Sequence, residues 1–194
     1  MKPSLLIPAV MLLTLSATPT WAAPVNYQID PSHTYPSIEV DHLGGVSIWR
    51  GKFNKTSGQI QLDTEEKTGM VDIAVDINSL DFGHDTMNYH VLSANMLNAV
   101  KFPVAHYTGQ LAGFTEGRPS TVEGQFTLRG ITQPLTLQIQ QFKCIQHPML
   151  KREVCGADAI GNFNRADFGI DYGKGMGFNM NVLLRIQVEA LKAD

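Results

Sequence analysis

Apolar and polar residues alternate along most of this chain, and that alternation restricts the folds it can adopt. Residues 71–77 read Val-Asp-Ile-Ala-Val-Asp-Ile, which places four β-branched side chains on one face of a strand. Residues 135–140 and 182–190 follow the same period of two. Such alternation is typical of strands that bury one face and leave the other in water. Because sheets of that kind are usually antiparallel, the pattern predicts an antiparallel all-β fold.

Turn-forming residues divide the alternating segments at regular intervals. The turn signals are Gly44-Gly45, Ser57-Gly58, residues 65–69, residues 116–119 and Arg129-Gly130. Many short strands at even spacing are typical of a sandwich or a barrel, and the pattern here predicts about eight or nine of them.

The apolar faces of these strands must be buried, and the sequence predicts little helix to cover them. A closed barrel of about eight strands either fills its interior with side chains or holds one small ligand. Aromatic residues suit both outcomes, so the pattern alone leaves a packed interior and a ligand cavity open. The candidates for the inner wall are Trp49, Phe53, Phe102, Tyr107, Phe126, Phe142, Phe163, Phe168 and Phe178.

Residues 85–99 interrupt the alternation. This stretch contains Met87, Leu92, Met96 and Leu97 but no period-two pattern. We predict one or two short helices here that cap one end of the barrel, and the chain shows no internal repeat or linker that would divide it further.

The first 22 residues have the layout of a secretory signal peptide. Lys2 precedes an apolar run from Leu5 to Leu15, and small residues lead to Ala22-Ala23. The run is shorter than the roughly 20 residues that span a bilayer. We therefore expect residues 1–22 to be removed on export to the periplasm, leaving residues 23–194 as one domain.

The exported chain is acidic. Without Lys2 it has 14 basic and 18 acidic residues, a net charge of −4. Because no basic stripe occurs, nucleic acids and anionic membrane surfaces are predicted to be poor partners. No second apolar run of membrane length occurs, so stable membrane insertion is not expected.

Two cysteines, Cys144 and Cys155, remain in the exported chain. An even pair in an oxidising compartment predicts a disulfide, here closing a loop or wide hairpin. A metal site that uses both cysteines with His147 is an alternative, although it lacks a clear fourth ligand.

Residues with catalytic potential occur without a recognisable catalytic motif. Asp30, Ser32 and His33 are nearly adjacent, whereas the members of a hydrolase triad normally converge from distant segments. His84 and His90 are six positions apart, which places them on different faces of a helix. We predict no catalytic residues, no metal and no cofactor.

Short motifs occur along the chain in a defined order, and the set resembles the YceI-like, polyisoprenoid-binding family. The match extends from about Tyr27 to Leu191, and residues 144–158 resemble a proteobacterial branch with a cysteine pair. The motifs are residues 27–34 (YQIDPSHT), 41–44 (DHLG), 50–53 (RGKF), Ser57-Gly58, Asp81 with Gly83, His90 with Ser93, 101–103 (KFP), 127–134 (TLRGITQP) and 165–169 (RADFG).

The sequence departs from the family pattern at the positions of Asp41 and Leu92, where Lys and Arg are usual. Met96-Leu97-Asn98 also replaces a Phe-Phe-Asp segment. The predicted cap is therefore less charged and richer in methionine, which suits varied apolar ligands.

The resemblance implies a lipocalin-like antiparallel barrel with a long internal tunnel. It also implies binding of polyisoprenoids, isoprenoid quinones or fatty-acid-like lipids, a periplasmic location, and no catalysis. Some members are dimers, so a homodimer is consistent with it. These implications favour a cavity over a packed interior.

We therefore interpret the protein as a periplasmic carrier, store or scavenger of a long apolar amphiphile. The alternatives are an envelope interaction module with a filled barrel and, third, a metal-dependent or hydrolytic enzyme. The predicted ligand contacts include aromatic wall residues, two histidines near a head group and two residues of the cap. They are His42, Trp49, Phe53, His90, Leu92, Met96, Phe102 and Phe168.

Overall fold

The computed structural model describes residues 23–194, so the predicted signal peptide lies outside the described residues. Within that range the chain forms eleven strands and one α-helix. The sequence predicts eight or nine strands. The additional strands include one of two residues, which is too short to show alternation. The strands are β1 (Val25–Ile29), β2 (Tyr35–His42), β3 (Ser47–Phe53), β4 (Thr56–Asp63), β5 (Thr68–Asp76), β6 (Leu80–Asp81), β7 (Val104–Ala112), β8 (Thr121–Leu128), β9 (Ile131–Gln146), β10 (Glu153–Asn164) and β11 (Asn181–Lys192).

Eight of these strands close into an antiparallel barrel. The order around it is β1-β4-β5-β7-β8-β9-β10-β11, and β11 pairs with β1 to complete the ring. The predicted all-β, antiparallel barrel of about eight strands is confirmed.

The long strand β11 pairs with two different strands, β1 and β2, along one of its edges. Its C-terminal part pairs with β1, where Ala190 lies opposite Ile29. Its N-terminal part pairs with β2, where Val182 lies opposite Val40. Strands β2, β3 and β6 therefore extend the wall beyond the short strand β1 and lengthen the enclosed space.

The turn between β8 and β9 shows how local sequence fixes strand register. Arg129 and Gly130 both adopt positive φ angles, 52° and 74°. Two such residues form the tight reversal that matches the twist of paired strands. The predicted reversal at Arg129-Gly130 is confirmed.

One helix, α1 (Asp85–Leu92), occupies the stretch where one or two were predicted. The ring nitrogen Nδ1 of His84 accepts a hydrogen bond from the Met87 backbone and caps the first turn. The segment after Ser93 continues as turns rather than as a second helix. Val91 is buried against the barrel interior, so α1 covers one end.

We name the two ends of the barrel from their contents. The helix end comprises the β2–β3 hairpin, residues 81–104 with α1, the β8–β9 turn with its flanking residues (128–131), and residues 165–180. The disulfide end comprises the other hairpin turns and the Cys144–Cys155 bond, which joins directly opposed residues of β9 and β10 and confirms the predicted pairing. No helix among residues 23–194 is long and apolar enough to cross a bilayer.

Candidate functional site

A cavity of about 530 Å³ occupies the barrel interior. Its lining reaches from Tyr27 and Phe142 at the disulfide end to Met87 and Phe178 at the helix end. The interior is therefore an elongated space rather than a packed core. This volume falls within the roughly 300–1,000 Å³ typical of small-molecule sites.

The wall of the cavity comes from the apolar faces of the alternating strands. Because side chains point alternately to the two faces of a strand, each row places every second residue inside. The rows recognised in the sequence all line the cavity: Val71, Ile73, Val75 and Ile77; Leu135, Leu137 and Ile139; Val182, Leu184, Ile186, Val188 and Ala190.

Of the buried hydroxyls along the wall, that of Tyr107 is hydrogen-bonded, whereas Oγ1 of Thr56 has no hydrogen-bond partner within residues 23–194. The buried Tyr107 hydroxyl lies 3.1 Å from the Val122 carbonyl oxygen and 3.0 Å from that of Leu135. Burial raises the pKa of Tyr107, so this hydroxyl stays neutral. Gly124 makes room for it, because a Cβ there would lie 2.6 Å from the Tyr107 hydroxyl oxygen. The tunnel thus presents an apolar surface.

The cavity opens at the helix end. Three of its lining residues, Leu43, Tyr172 and Met176, are exposed to solvent. All three belong to the β2–β3 hairpin or to the loop after β10. We call this opening the mouth.

Asp41 joins the two segments that frame the mouth. Its carboxylate accepts hydrogen bonds from the backbone N–H groups of Gly44 (3.1 Å), Gly45 (2.6 Å) and Asn179 (2.8 Å). These donors, with Asn179 the strongest, hold the pKa of Asp41 below its usual value. The two segments also touch, since a Cβ on Gly44 would lie 3.1 Å from the Gly177 carbonyl oxygen.

Arg165 places a positive charge beside the mouth. The residue is only 8% exposed, and its guanidinium donates to the carbonyl oxygens of Ile170 (3.0 Å) and Tyr172 (2.7 Å). Burial lowers the pKa of Arg165, while Asp171 and Asp41 oppose that effect. The guanidinium remains charged because arginine does not lose its proton in proteins.

Aromatic rings surround the same opening. The ring centre of His42 lies 5.7 Å from that of Trp49 and 5.8 Å from that of Phe178. The His90 ring meets Tyr172 edge-on at 4.8 Å. The site therefore combines the apolar length of the cavity, which we call the shaft, with a mouth that carries two imidazoles and one guanidinium.

The sequence of this barrel matches one family model over almost all of the described residues. The YceI-like domain model matches residues 27–190, most of the chain. The chain belongs to the YceI-like family.

Two curated relatives match this YceI-like chain over nearly its whole length. A UPF0312 protein of Shewanella denitrificans is 30% identical over 177 residues, covering 90% of this chain and 91% of the relative. Protein YceI of Salmonella arizonae is 29% identical over 184 residues, covering 93% and 94%.

Solved structures show the same YceI-like fold. BcnA of Burkholderia cenocepacia superposes with a TM-score of 0.65 at 17% identity, over 83% of this chain and 98% of BcnA. A polyisoprenoid-binding domain of Saccharophagus degradans gives 0.62 at 15% identity, over 87% and 99%. At such identities the likeness concerns the fold alone.

The structure brings five of the eight predicted contact residues to the cavity. His42, Trp49, Phe53, His90 and Met96 all line it. Whether these side chains touch a ligand stays a prediction.

The other three predicted contacts are not among the residues that line the cavity. Phe168 is 2% exposed and packs against the rings of Phe126 and Phe163, at 5.5 and 5.3 Å. Phe102 lies next to the β8–β9 turn, near Gly130. Leu92 packs against the core cluster of the helix end. Their residue types favoured ligand contact, but packing between distant segments places them outside the lining.

Sequence reasoning gave no role to Arg165, Asp41 or Tyr172. Arg165 and Asp41 both stood within recognised motifs, so their positions were visible although their partners were not. Those partners are backbone groups of distant or irregular segments, which no local pattern marks.

Several residues considered for catalysis or metal binding are engaged by other protein groups. His33 and Asp30 form an exposed pair at 2.7 Å and do not line the cavity. The disulfide occupies both cysteine sulfurs, and Nδ1 of His147 accepts backbone hydrogen bonds from Met149 and Leu150. Within residues 23–194 no group of three or more His, Cys, Asp or Glu side chains is arranged to hold a metal ion.

Proposed function

We propose that this protein is a periplasmic carrier or store that holds one long apolar amphiphile in its barrel. The ligand class is a polyisoprenoid, an isoprenoid quinone or a fatty-acid-like lipid. The observation that carries the proposal is the elongated cavity, apolar along its length and open at one end.

The apolar shaft supplies the affinity for a tail. Each buried methylene contributes about 0.8 kcal/mol, so ten contribute about 8 kcal/mol before ordering costs. That gross figure corresponds to a dissociation constant of about 1 μM. Because the contribution rises smoothly with length, we expect a class of tails to bind rather than one compound.

The mouth suits the polar end of such a molecule. Arg165, His42 and His90 line the cavity at this end and offer hydrogen-bond donors that the shaft lacks. A quinone carbonyl, amide, carboxylate or phosphate oxygen could accept from them. We therefore orient the ligand with its head at the mouth and its tail toward Tyr27.

A disulfide is consistent with the periplasm, because such bonds persist in oxidising compartments. Membership of the YceI-like family and the fold of a polyisoprenoid-binding domain favour a binding protein over an enzyme. An interaction module with a filled barrel is disfavoured by the open interior.

Filling the shaft tests the proposal. Ala159 is buried, lines the cavity and lies midway along it, opposite Ile186 and Ile139. The change Ala159→Phe should lower affinity for a decyl-chain benzoquinone by about tenfold or more, since the ring would replace several tail methylenes. Native mass spectrometry and quinone titration measure the change.

The control is Ala94→Phe, at an exposed position outside the lining. It should bind the quinone as the unmodified protein does. Equal binding by both variants, or no uptake by the unmodified protein, would contradict the proposal.

A further inference from the structure

Exposed apolar side chains are concentrated around the mouth. Within residues 23–194, nine of the thirteen large hydrophobic side chains that are exposed belong to segments of the helix end. The β2–β3 hairpin alone presents Leu43, Val46 and Ile48, and Met176 is exposed in the loop after β10, which touches the hairpin at Gly44. We call these four residues the rim. Clustered exposed apolar residues mark interaction sites.

The rim is held in a fixed shape. Asp41 fastens both flanking segments, and the Val46 N–H donates to the His42 carbonyl oxygen at 3.1 Å. The hairpin tip therefore presents Leu43 and Val46 from a hydrogen-bonded turn. Their exposure is a property of the folded state rather than of a loose loop.

The charge of the helix end differs from that of the rest of the molecule. Residues 41–50, 81–102, 129 and 165–176 contain five basic and five acidic residues. The net charge of −4 therefore belongs to the remainder of the exported chain. Since charges are screened beyond about 8 Å at physiological ionic strength, an anionic surface would repel this end least.

We propose that the rim docks on the surface of a lipid bilayer, so that the ligand passes between the membrane and the barrel without crossing water. This inference rests on the proposed function. Two of the rim residues, Leu43 and Met176, line the cavity at its opening, so docking would join the apolar shaft to the acyl region of one leaflet. The neutral charge of this end fits that contact, although the charge of the whole chain predicts a poor membrane partner.

The disulfide end supplies a matched control surface. Met149 and Leu150 are exposed at the tip of the β9–β10 hairpin, by 80% and 52%. Val46 and Ile48 are exposed by 76% and 46%. None of the four lines the cavity. The two pairs are therefore alike in chemistry and exposure but lie at opposite ends of the barrel.

The experiment compares two double variants. One combines Val46→Ser with Ile48→Ser at the rim, and the other, the control, combines Met149→Ser with Leu150→Ser at the disulfide end. Each double variant is loaded with a decyl-chain benzoquinone and mixed with vesicles of phosphatidylethanolamine and phosphatidylglycerol. Flotation measures docking, and stopped-flow fluorescence measures quinone transfer. We expect the rim variant to transfer about tenfold more slowly and the control to change less than twofold. Transfer by the unmodified protein should accelerate with vesicle concentration, as contact requires.

Several outcomes would overturn the proposal. One is a transfer rate that falls equally in both variants, or falls further in the control. Others are a transfer rate of the unmodified protein that does not depend on vesicle concentration, and a self-associated dimer that covers the rim. Quinone binding in the absence of vesicles is measured separately, so a failure of the proposed function is distinguished from a failure of docking. Should the double rim variant unfold, Val46→Ser alone serves, because its side chain is the more exposed.

Discussion

The two ends of the barrel are stabilised in different ways. At the disulfide end, β9 and β10 pair without interruption around the Cys144–Cys155 bond, and a buried cluster that includes Tyr27, Leu62 and Ala190 lines the end of the cavity. At the helix end, side chains such as Asp41 and Arg165 hold irregular backbone in place. The first arrangement seals the barrel, and the second forms an opening that can exchange a ligand.

The contrast places regular backbone pairing and ligand exchange at different ends of one cavity. Regular backbone pairing leaves few groups free to rearrange, whereas a loop held by a few hydrogen bonds opens at lower free-energy cost. We therefore expect changes at the helix end to alter ligand exchange, except where they reach the aromatic layer behind the mouth.

The largest expected effect is on that aromatic layer. Phe168→Ala removes a buried ring that packs against Phe126 and Phe163, and should lower the free energy of unfolding by about 3–5 kcal/mol. Phe142→Ala, at the disulfide end, should cost clearly less, because Phe142 is half-buried and already borders the cavity. Urea denaturation measures both. A larger loss for Phe142→Ala would show that the helix end has no supporting core of its own.

Removing the disulfide should have the next largest effect. Replacing both Cys144 and Cys155 by Ala should lower the free energy of unfolding by about 2–3 kcal/mol, because the unfolded chain regains the freedom of the closed loop. Quinone release through the distant mouth should keep its rate. Thermal unfolding and release kinetics test the two statements, and a release rate that changes severalfold would refute the separation of the ends.

The smallest effect on stability, with the clearest effect on exchange, is expected at Asp41. Asp41→Asn replaces a charged acceptor of three N–H groups by one neutral acceptor, so the hairpin and the loop should separate more often. We expect quinone release to accelerate by about three- to tenfold at pH 7. Stopped-flow release from the variant and the unmodified protein gives the comparison.

The pH dependence of release supplies a second measurement on Asp41. Its pKa is lower in the folded protein than in the unfolded chain, so its contribution is complete above the ordinary value of about 3.9 and is lost as the pH falls through the lowered value. Release from the unmodified protein should therefore accelerate only in acid. Asp30, Glu39 and Asp81 also have lowered pKa values. Only the part of the acceleration in acid that is absent from Asp41→Asn is therefore assigned to Asp41.

Local sequence patterns predicted the wall of the site well and its mouth poorly. The inward rows at residues 71–77, 135–139 and 182–190 line the cavity because alternation fixes the face of each side chain. Phe168 and Phe102 had the right residue type but lie outside the lining, since their positions depend on segments distant in sequence. Asp41 was visible as a departure from the family motif, yet its partner Asn179 lies 138 positions away.

The sequence by itself determined the all-β character, the turns, the inward faces and the cysteine pair, because each depends on residues near one another in the chain. The tertiary structure alone decided that β11 pairs with both β1 and β2, that the interior stays open, and that the mouth lies at the helix end. Those features depend on contacts between distant segments, and a short-range pattern carries no information about which distant backbone groups will meet.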